Sequence, residues 1–318
     1  MRARALATLA VVGVLGVGTP SATALTLRYA IVVGNNASAA STMPALRFAE
    51  REAGRLADAL REHAAFDRAR TVVLEGPTRE SLARAADQIV AWRQADRRRF
   101  PDAQTLFAFF YTGHGQQGRI LLSDGSLGRQ ALGDIFSRID ASFSLGVFDT
   151  CYAGSLDADG FGGKGGILPT PGVNLVQQLP EEVLEAQGRM WLLSSGPDEL
   201  SWEDDHVGGV FTHFFIQALT EAATESPGVD LSRIWSYVRG RTHRYTSARG
   251  RPQTPRMVAN ISGVGFPTFS YASERNATVV FGPSVSGAFA ITYDDGALTL
   301  TVDVEAGEET SVAVYPGR

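Results

Sequence analysis

Two short motifs contain a thiol and an imidazole that could act together. Cys151, the only cysteine of the 318 residues, stands in the segment Asp-Thr-Cys-Tyr-Ala-Gly at 149–154. His114 stands in the segment Tyr-Thr-Gly-His-Gly at 111–115. A thiolate can attack a carbonyl carbon, and a nearby imidazole lowers the pKa of the thiol and then protonates the leaving group. These residue types therefore suit nucleophilic catalysis.

The alternative interpretation of both residues is structural. A lone cysteine is most often an inert buried residue, and a lone histidine most often has a structural role. Here, however, each residue stands in a polar, glycine-flanked turn directly after an apolar run. Glycine lets a substrate backbone approach closely and leaves backbone N–H groups to face a developing oxyanion. This context favours the catalytic interpretation.

The surrounding pattern predicts an α/β fold. Apolar runs predict strands at 29–33, 71–74, 105–111, 145–148 and 190–194, and helical spacing predicts helices at 46–60, 82–92, 132–139, 210–223 and 231–245. Strands that alternate with helices and are continuously apolar indicate a mostly parallel sheet flanked by helices on both faces. Ligands bind beyond the carboxyl ends of such strands. We therefore expect His114 and Cys151 to meet at that edge.

Three further segments carry predictions of their own. Residues 120–122 read as one arm of a small hairpin, and Arg97-Arg98-Arg99 as a solvated turn. The segment 154–188 is rich in Gly, Pro and Asp, with a short helix predicted near 181–186. A loop of that length in a compact domain is usually functional or disordered.

The chain changes character after Gly263. Strand candidates lie at 277–281, 289–293, 298–304 and 311–315, and Asp294-Asp295-Gly296 is a good hairpin turn. We place a small all-β module at 274–318. About 45 residues are few for an independent core, so we expect the module either to be incomplete or to pack against the main domain.

The N-terminus reads as a secretory signal. Arg2 and Arg4 precede an uncharged run at 5–18, and Ala22-Thr23-Ala24 fits a small-residue cleavage site. The run is shorter than the ~20 residues that span a bilayer, so we expect no membrane span in the mature chain. We predict a signal peptide at 1–24 and a periplasmic or secreted protein.

Composition excludes several classes of function. The net charge of −5 and pI of about 5.6 argue against a nucleic-acid partner. One cysteine cannot form an internal disulfide or a thiolate zinc cage. A G-x-S-x-G elbow is missing, so a serine hydrolase is remote.

At this point a family resemblance becomes specific. The two motifs around His114 and Cys151 resemble the active-site signatures of the caspase/metacaspase superfamily, and are most similar to its bacterial members. Further matching pieces, in chain order, are Arg28–Gly34, the helix at 45–60, Ser194–Glu199, Gly209–Thr212 and Gln253–Pro255. The resemblance covers about 26–268 and implies a caspase-like peptidase domain at 25–270.

The resemblance also implies a mechanism. Cys151 would be the nucleophile and His114 the acid and base, with no metal at the reacting centre and a peptide or protein as substrate. The backbone N–H groups of Gly115 and Cys151 would form the oxyanion hole. The alternative is a non-catalytic caspase-like module that binds or assembles through its β-module.

Specificity departs from that of caspases. Their signature Gln-Ala-Cys-Arg-Gly has glutamine where this chain has Asp149, and the spacing from His114 to Cys151 is shorter than the ~50 residues of caspases. By similarity to metacaspases, Asp149 would line an S1 pocket for Arg, with Lys second. A carboxylate there pairs with a guanidinium and repels an acidic side chain. Glu52 and Thr112 are further candidates for this pocket, and an ordinary exposed carboxylate is the alternative for Glu52.

A basic-specific enzyme could also cut itself. Lys164 lies in Gly-Gly-Lys-Gly-Gly shortly after Cys151, and Arg189 is a second candidate. The alternative is that this loop covers the site uncut. Some metacaspases use calcium, but the acidic clusters at 157–160 and 203–205 lack a full ligand spacing and read as solvated loops. We therefore predict no cofactor, with calcium as the only candidate.

Overall fold

A computed structural model describes ten segments of the chain. They are residues 26–37, 43–116, 118–153, 156, 187–225, 228–262, 268–271, 277–293, 298–307 and 309–314. The predicted signal peptide, Lys164 and the helix expected near 181–186 lie outside them.

The described residues form five α-helices, seventeen strands and one 3-10 turn. The helices are α1 Ala49–His63, α2 Arg79–Arg99, α3 Arg129–Ile139, α4 Val210–Glu225 and α5 Leu231–Ser247, and the 3-10 turn is Arg68–Arg70. The strands are β1 Thr26–Asn35, β2 Thr71–Glu75, β3 Gln104–Gly113, β4 Gly115–Gln116, β5 Arg119–Leu122, β6 Gly125–Gly128, β7 Phe143–Asp149, β8 Gln187–Leu193, β9 Glu203–Asp204, β10 Gly208–Gly209, β11 Gly228–Asp230, β12 Arg256–Ser262, β13 Thr268–Tyr271, β14 Ala277–Phe281, β15 Gly287–Tyr293, β16 Leu298–Val304 and β17 Thr310–Val314.

A six-stranded sheet forms the centre, in the order β12-β8-β7-β3-β1-β2. Within this sheet the strands β1, β2, β3, β7 and β8 pair in parallel, and only β12 is antiparallel to its neighbour β8. From β1 the chain builds β2 on one side and then crosses to β3 on the other. Loops that leave neighbouring strands in opposite directions open a crevice between β1 and β3. This confirms the predicted mostly parallel sheet, with a sixth strand that its mixed sequence did not predict.

Helices cover both faces of the sheet, as predicted. Side chains of β1 alternate between the faces, so Ala30 and Val32 pack with α1, α4 and α5, while Ile31 and Val33 pack with α2 and α3. One expectation was wrong: α2 runs to Arg99, so the three arginines at 97–99 form its last turn instead of a solvated loop. Positive charge there is favourable, because it faces the negative end of the helix dipole.

A buried ionic network joins three elements at the amino ends of the strands, the edge of the sheet opposite the predicted site. Asp96 of α2 is 5% exposed and accepts hydrogen bonds from Tyr29 Oη at 2.8 Å and from Arg70 Nε and Nη2 at 2.7 and 2.9 Å. These contacts join β1, α2 and the start of β2. Because charge buried in this way must be paired, Asp96 fixes where α2 packs on the sheet.

The C-terminal strands form two antiparallel pairs, β14 with β17 and β15 with β16. The four strand candidates of this region are therefore confirmed, while the turn expected at 294–296 lies outside the described residues. The hairpin arm predicted at 120–122 is β5, which pairs with β4 and β6. The long loop ends slightly earlier than predicted, because β8 already begins at Gln187. No helix of the described residues is long and apolar enough to cross a membrane.

Candidate active site

The turn after β7 holds the thiol. Hydroxyl groups of Ser194 and Ser195, which follow β8, brace this turn through hydrogen bonds of 3.1–3.2 Å to the backbone of Thr150 and Ala153. The N–H of Tyr152 donates to the carbonyl oxygen of Glu199 at 2.8 Å. The carboxyl end of β8 therefore supports the end of β7 and fixes the backbone that carries the thiol.

Backbone strain marks the residue after the thiol. Tyr152 has a φ of +57°, a left-handed conformation that costs energy for a bulky aromatic residue. The hydrogen bond from its N–H to Glu199 holds this conformation. The turn therefore keeps Cys151 at its apex, where the thiol is partly accessible.

The surroundings of Cys151 favour the protonated thiol over the thiolate. Burial raises its pKa, the negative charges of Asp149 and Glu203 raise it further, and the backbone carbonyl of Ser201 accepts the thiol hydrogen bond at 3.6 Å. The thiolate is the nucleophilic form, so this thiol needs a base to take its proton.

His114 follows β3, the strand beside β7, and a hydrogen bond of its Nε2 orients the ring. Its Nε2 lies 2.9 Å from the carbonyl oxygen of Pro44, in the segment before α1. A carbonyl oxygen only accepts, so Nε2 carries the hydrogen and the neutral ring keeps its lone pair on Nδ1. Nδ1 is the nitrogen that could take a proton. Sequence reasoning did not find Pro44, because its contribution is a backbone carbonyl and any residue type carries one.

A buried hydroxyl supports the His114 turn from below. Tyr111 Oη lies 2.7 Å from the carbonyl oxygen of His114 and 2.6 Å from that of Leu121. A Cβ atom on Gly113 would lie 2.6 Å from this hydroxyl, so glycine leaves the room that Tyr111 occupies. The Tyr-Thr-Gly-His-Gly motif is thus a turn packed on its own tyrosine.

Gly115 brings the two turns together. A Cβ atom there would overlap the Thr150 hydroxyl and lie 2.8 Å from the carbonyl oxygen of Cys151. Gly115 pairs with Ile120, and the ladder hydrogen bond beside this pair runs from Leu121 N to His114 O at 3.0 Å. Gly115 and Ile120 are therefore a non-hydrogen-bonded pair of the antiparallel ladder, and the N–H groups of such a pair point away from the partner strand. The Gly115 N–H therefore faces away from β5, as an oxyanion donor must.

The three predicted S1 residues lie together, and Glu52 is not the exposed carboxylate of the alternative interpretation. Glu52 is 1% and Asp149 6% exposed. Thr112, which pairs with Asp149 across β3 and β7, donates its hydroxyl to Glu52 at 3.3 Å. A Cβ atom on Gly209 would lie 2.8 Å from Glu52 Oε2 and 3.1 Å from Asp149 Oδ2. Two buried carboxylates therefore converge on one glycine.

The position of Glu52 follows from close packing at Gly34. A Cβ atom on Gly34 would lie 2.6 Å from Glu50 Cα, so the start of α1 rests directly on the end of β1. α1 is amphipathic, and Glu52 lies on its buried face with Ala53 and Leu56. Because Gly34 has no side chain, α1 packs close to the end of β1, and the Glu52 carboxylate lies buried at the edge of the sheet.

Donors hold the Asp149 carboxylate in place. Its Oδ2 accepts from the N–H and hydroxyl of Thr212 at 2.9 and 2.7 Å, and its Oδ1 accepts from the Ser201 hydroxyl at 2.5 Å. Thr212 lies in the first turn of α4, whose positive dipole end also favours a negative charge. The sequence analysis did not find these supporting residues.

Glu203 adds a third carboxylate that the sequence analysis treated as part of a solvated cluster. It is half-buried, and the backbone N–H groups of Arg47 and Phe48 donate to it. Burial and the charge of Asp149 raise its pKa, against the effect of those donors. A run of acidic residues in a sequence gives no signal that one of them is partly buried.

The electrostatics of the pocket disfavour a full set of negative charges. Burial, followed by the charge of Asp149, raises the pKa of Glu52 to about 7. Burial raises the pKa of Asp149 as well, although the Ser201 and Thr212 donors oppose this. Carboxylates this close share protons until a cation joins them. A positive charge in the pocket would favour the ionised form of both carboxylates.

The two candidate self-cleavage sites differ in their surroundings. Arg189 lies within β8, which pairs with β7 on one side and β12 on the other, and its guanidinium stacks 5.2 Å from the Phe136 ring. Cleavage after Arg189 would require β8 to leave the sheet. Lys164 lies outside the described residues.

The described residues hold no group of three or more His, Cys, Asp or Glu side chains arranged to bind a metal ion. Of the two acidic clusters, 203–205 is within the described residues and 157–160 is not. Asp205 forms an exposed ion pair with Arg47, and Asp204 accepts from the N–H of His206 at 2.8 Å.

Comparison with known proteins identifies the family. The family model of the caspase domain, Peptidase_C14, matches residues 27–263. The chain therefore belongs to the caspase-domain family of cysteine peptidases. The crystal structure of caspase-1 from Spodoptera frugiperda is similar, with 16% sequence identity, a TM-score of 0.49, and coverage of 75% of this chain and 88% of that one. No curated protein matches the sequence.

Proposed function

We propose that this protein is an exported cysteine endopeptidase that cleaves after Arg, and second after Lys. The observation that carries the proposal is the contact at Gly115. There the His114 turn lies against the Cys151 turn, beside the buried carboxylates of Asp149 and Glu52.

We assign a residue to each step of the reaction. His114 Nδ1 takes the proton of the Cys151 thiol, and the sulfur attacks the carbonyl carbon of the scissile bond. The N–H groups of Gly115 and Cys151 stabilise the oxyanion. The imidazolium then protonates the leaving amine and an acyl-enzyme remains. Water, deprotonated by His114, releases the acid and restores the thiol.

Substrate charge and thiol reactivity are coupled in this arrangement. The negative charges of Asp149 and Glu203 raise the pKa of the Cys151 thiol. A guanidinium in the pocket would neutralise that effect and favour the thiolate. Binding of the correct P1 residue therefore promotes the deprotonation that the reaction needs.

Peptides with a fluorogenic leaving group test the proposal. We expect hydrolysis after Arg, weaker hydrolysis after Lys, none after Asp, and loss of all turnover in Cys151→Ala. Cleavage after Asp would contradict the acidic pocket. Turnover of no peptide, with a folded protein, would favour the binding module over the enzyme. Parallel reactions with calcium and with a chelator test the remaining cofactor prediction.

Export is a separate part of the proposal and is supported by the segment 1–24 alone. When the full chain is produced in a bacterium, we expect a mature protein that begins at Leu25 and lies outside the cytoplasm. A protein that keeps Met1–Ala24 would contradict it. Mass spectrometry of the fractionated cells distinguishes the two.

A further inference from the structure

A second cleft lies between α5 and the segment before β12. It has a volume of about 400 Å³ and is lined by one face of α5 and by Thr254 and Pro255. Trp235 and Pro255, both buried, contribute its apolar floor, and the exposed residues Arg239, Gly240 and His243 lie along its rim. Binding sites for small molecules combine these features, an apolar floor and a few polar groups in a cleft of at least ~300 Å³.

The charge of the rim favours an anion. Arg239 and His243 are one helical turn apart on the same face of α5, so their side chains point to the same side. Among the described residues, Arg239 has no ion pair, whereas Arg249, further along the chain, pairs with Asp204 at 3.5 Å. An unneutralised guanidinium beside an apolar floor suits a carboxylate on an apolar body.

The carboxylate that faces His243 is already engaged. Glu199 accepts from Thr254 N at 2.6 Å, from Thr254 Oγ1 at 2.9 Å and from Gly196 N at 3.0 Å. Burial alone would raise the pKa of Glu199, but these donors and His243 hold it below its usual range. Glu199 is thus an ionised anchor for the 253–255 segment.

The wall of the cleft is also a support of the active site. Thr254 holds Glu199, whose carbonyl oxygen accepts from the N–H of Tyr152, the residue after Cys151. Gln253 Nε2 donates to Ser194 O at 2.9 Å and to the Ser201 hydroxyl at 3.0 Å. Ser201 in turn donates to Asp149.

The helix side of the cleft is tied to the same segment. The Nδ1 of His243 lies 3.3 Å from the carbonyl oxygen of Gln253 and so donates to it. A ligand against His243 and Thr254 would therefore act on the backbone that braces both the thiol turn and the Asp149 carboxylate.

We propose that this cleft is a second binding site, for a carboxylate carried on an aromatic or aliphatic body, and that its occupation changes the reactivity of Cys151. Arg239 binds the carboxylate, and Trp235 and Pro255 contact the apolar body. The inference does not depend on peptidase turnover, because thiol reactivity can be measured without a substrate.

The probe is 4-phenylbutyrate, with its neutral amide as the charge control. Binding is measured by calorimetry, and the rate of alkylation by iodoacetamide is followed by intact mass. Cys151 is the only cysteine, so a single adduct reports on it alone. We expect saturable binding of the acid, about tenfold weaker binding of the amide, and a change of twofold or more in the alkylation rate at saturation.

Two variants and a matched control test the location. Arg239→Gln removes the charge, and Gly240→Leu fills the cleft, since a Cβ atom on Gly240 meets nothing within 4 Å. Both should weaken binding by about tenfold or more. Arg244→Gln, on the same helix but outside the cleft lining, should leave it unchanged.

Three results would overturn the proposal. They are the lack of saturable binding, binding that both cleft variants leave unchanged, and binding that does not alter the alkylation rate. Thermal unfolding of each variant verifies that it folds. A protein that binds the acid as expected yet hydrolyses no peptide would contradict the proposed function and leave this site standing.

Discussion

The carboxylates of Glu52 and Asp149 converge on Gly209 although they come from α1 and the end of β7. An added Cβ atom on Gly209 would lie within 3.1 Å of both side chains. Donors hold each carboxylate from its own side, Thr112 and the Gly209 N–H for Glu52, and Ser201 and Thr212 for Asp149. The pair is therefore a fixed, buried negative site beside the thiol.

Removal of either charge should reduce cleavage after Arg. In Asp149→Asn we expect kcat/KM for an Arg peptide to fall by about 100-fold, because a buried charge loses its partner. Glu52→Gln should cost about tenfold, since Glu52 already carries part of a proton near neutral pH. The exposed Asp134→Asn is the matched control and should have no effect. An equal kcat/KM for the Arg peptide in all three variants would show that these carboxylates do not recognise the charge of the substrate.

Affinity for a cationic substrate should rise with pH. The pKa of Glu52 in the free protein is about 7, so the pocket gains negative charge between pH 6 and 8. KM for an Arg peptide should fall by several-fold across this window, and Glu52→Gln should flatten the trend. A KM in the wild type that is constant or rises with pH would contradict the assignment.

The same carboxyl has the opposite effect on stability. Its folded-state pKa lies above its ordinary value of 4.5, so its protonated form favours the folded state. This contribution is complete below pH 4.5 and is lost as the pH rises to about 7. Relative to Glu52→Gln, the free energy of unfolding of the wild type should fall in this window by at most about 1.4 kcal/mol per pH unit. Urea unfolding of both proteins at a series of pH values measures this trend. A wild-type free energy of unfolding that rises with pH relative to that of Glu52→Gln would contradict it.

The sequence predicted the sheet and both reactive turns for a physical reason. Buried parallel strands must be apolar throughout, so β3 and β7 stand out as continuous runs, and each ends where a polar, glycine-flanked motif begins. The strand β12 alternates polar and apolar residues weakly and gave no such signal. The extent of α2 was missed for a different reason, because a run of arginines is as typical of a helix end as of a loop.

The supports of the site were not predictable in the same way. Pro44 contributes a carbonyl oxygen, and Gly209 contributes proximity, so neither role depends on a side chain. In sequence Glu203 looks like the acidic residues that follow it, and only the fold shows that backbone N–H groups just before α1 donate to its side chain. Side-chain chemistry predicts reacting residues, whereas the backbone that orients them needs the structure.

Self-processing should depend on Lys164 alone. Arg189 is held in β8 between two partner strands, which excludes it from an intact active site. Intact mass after incubation should show cleavage after Lys164 in the wild type and none in Cys151→Ala or Lys164→Gln. Arg189→Gln is the control and should be processed normally. Processing in Cys151→Ala would show that another protease is responsible.

The Asp96 network should dominate stability at the far edge of the fold. Asp96→Asn removes the buried charge that accepts from Arg70 and Tyr29, so we expect a loss of about 3 kcal/mol in the free energy of unfolding. The matched control is Asp87→Asn, which breaks an exposed pair with Arg138 and should cost less than about 1 kcal/mol. Urea unfolding measures both. Equal losses would contradict the role of burial.

Tyr111 should act as a positioning residue for His114. Tyr111→Phe removes the hydroxyl that lies 2.7 Å from the His114 carbonyl oxygen, while the ring keeps its place in the core. We expect kcat for an Arg peptide to fall by about tenfold with KM unchanged, because the turn loosens but the S1 carboxylates do not. Tyr237→Phe, which removes a hydrogen bond to Glu221 far from the site, should leave both constants unchanged. A variant in which KM rises along with the loss of kcat would indicate a general loss of structure instead.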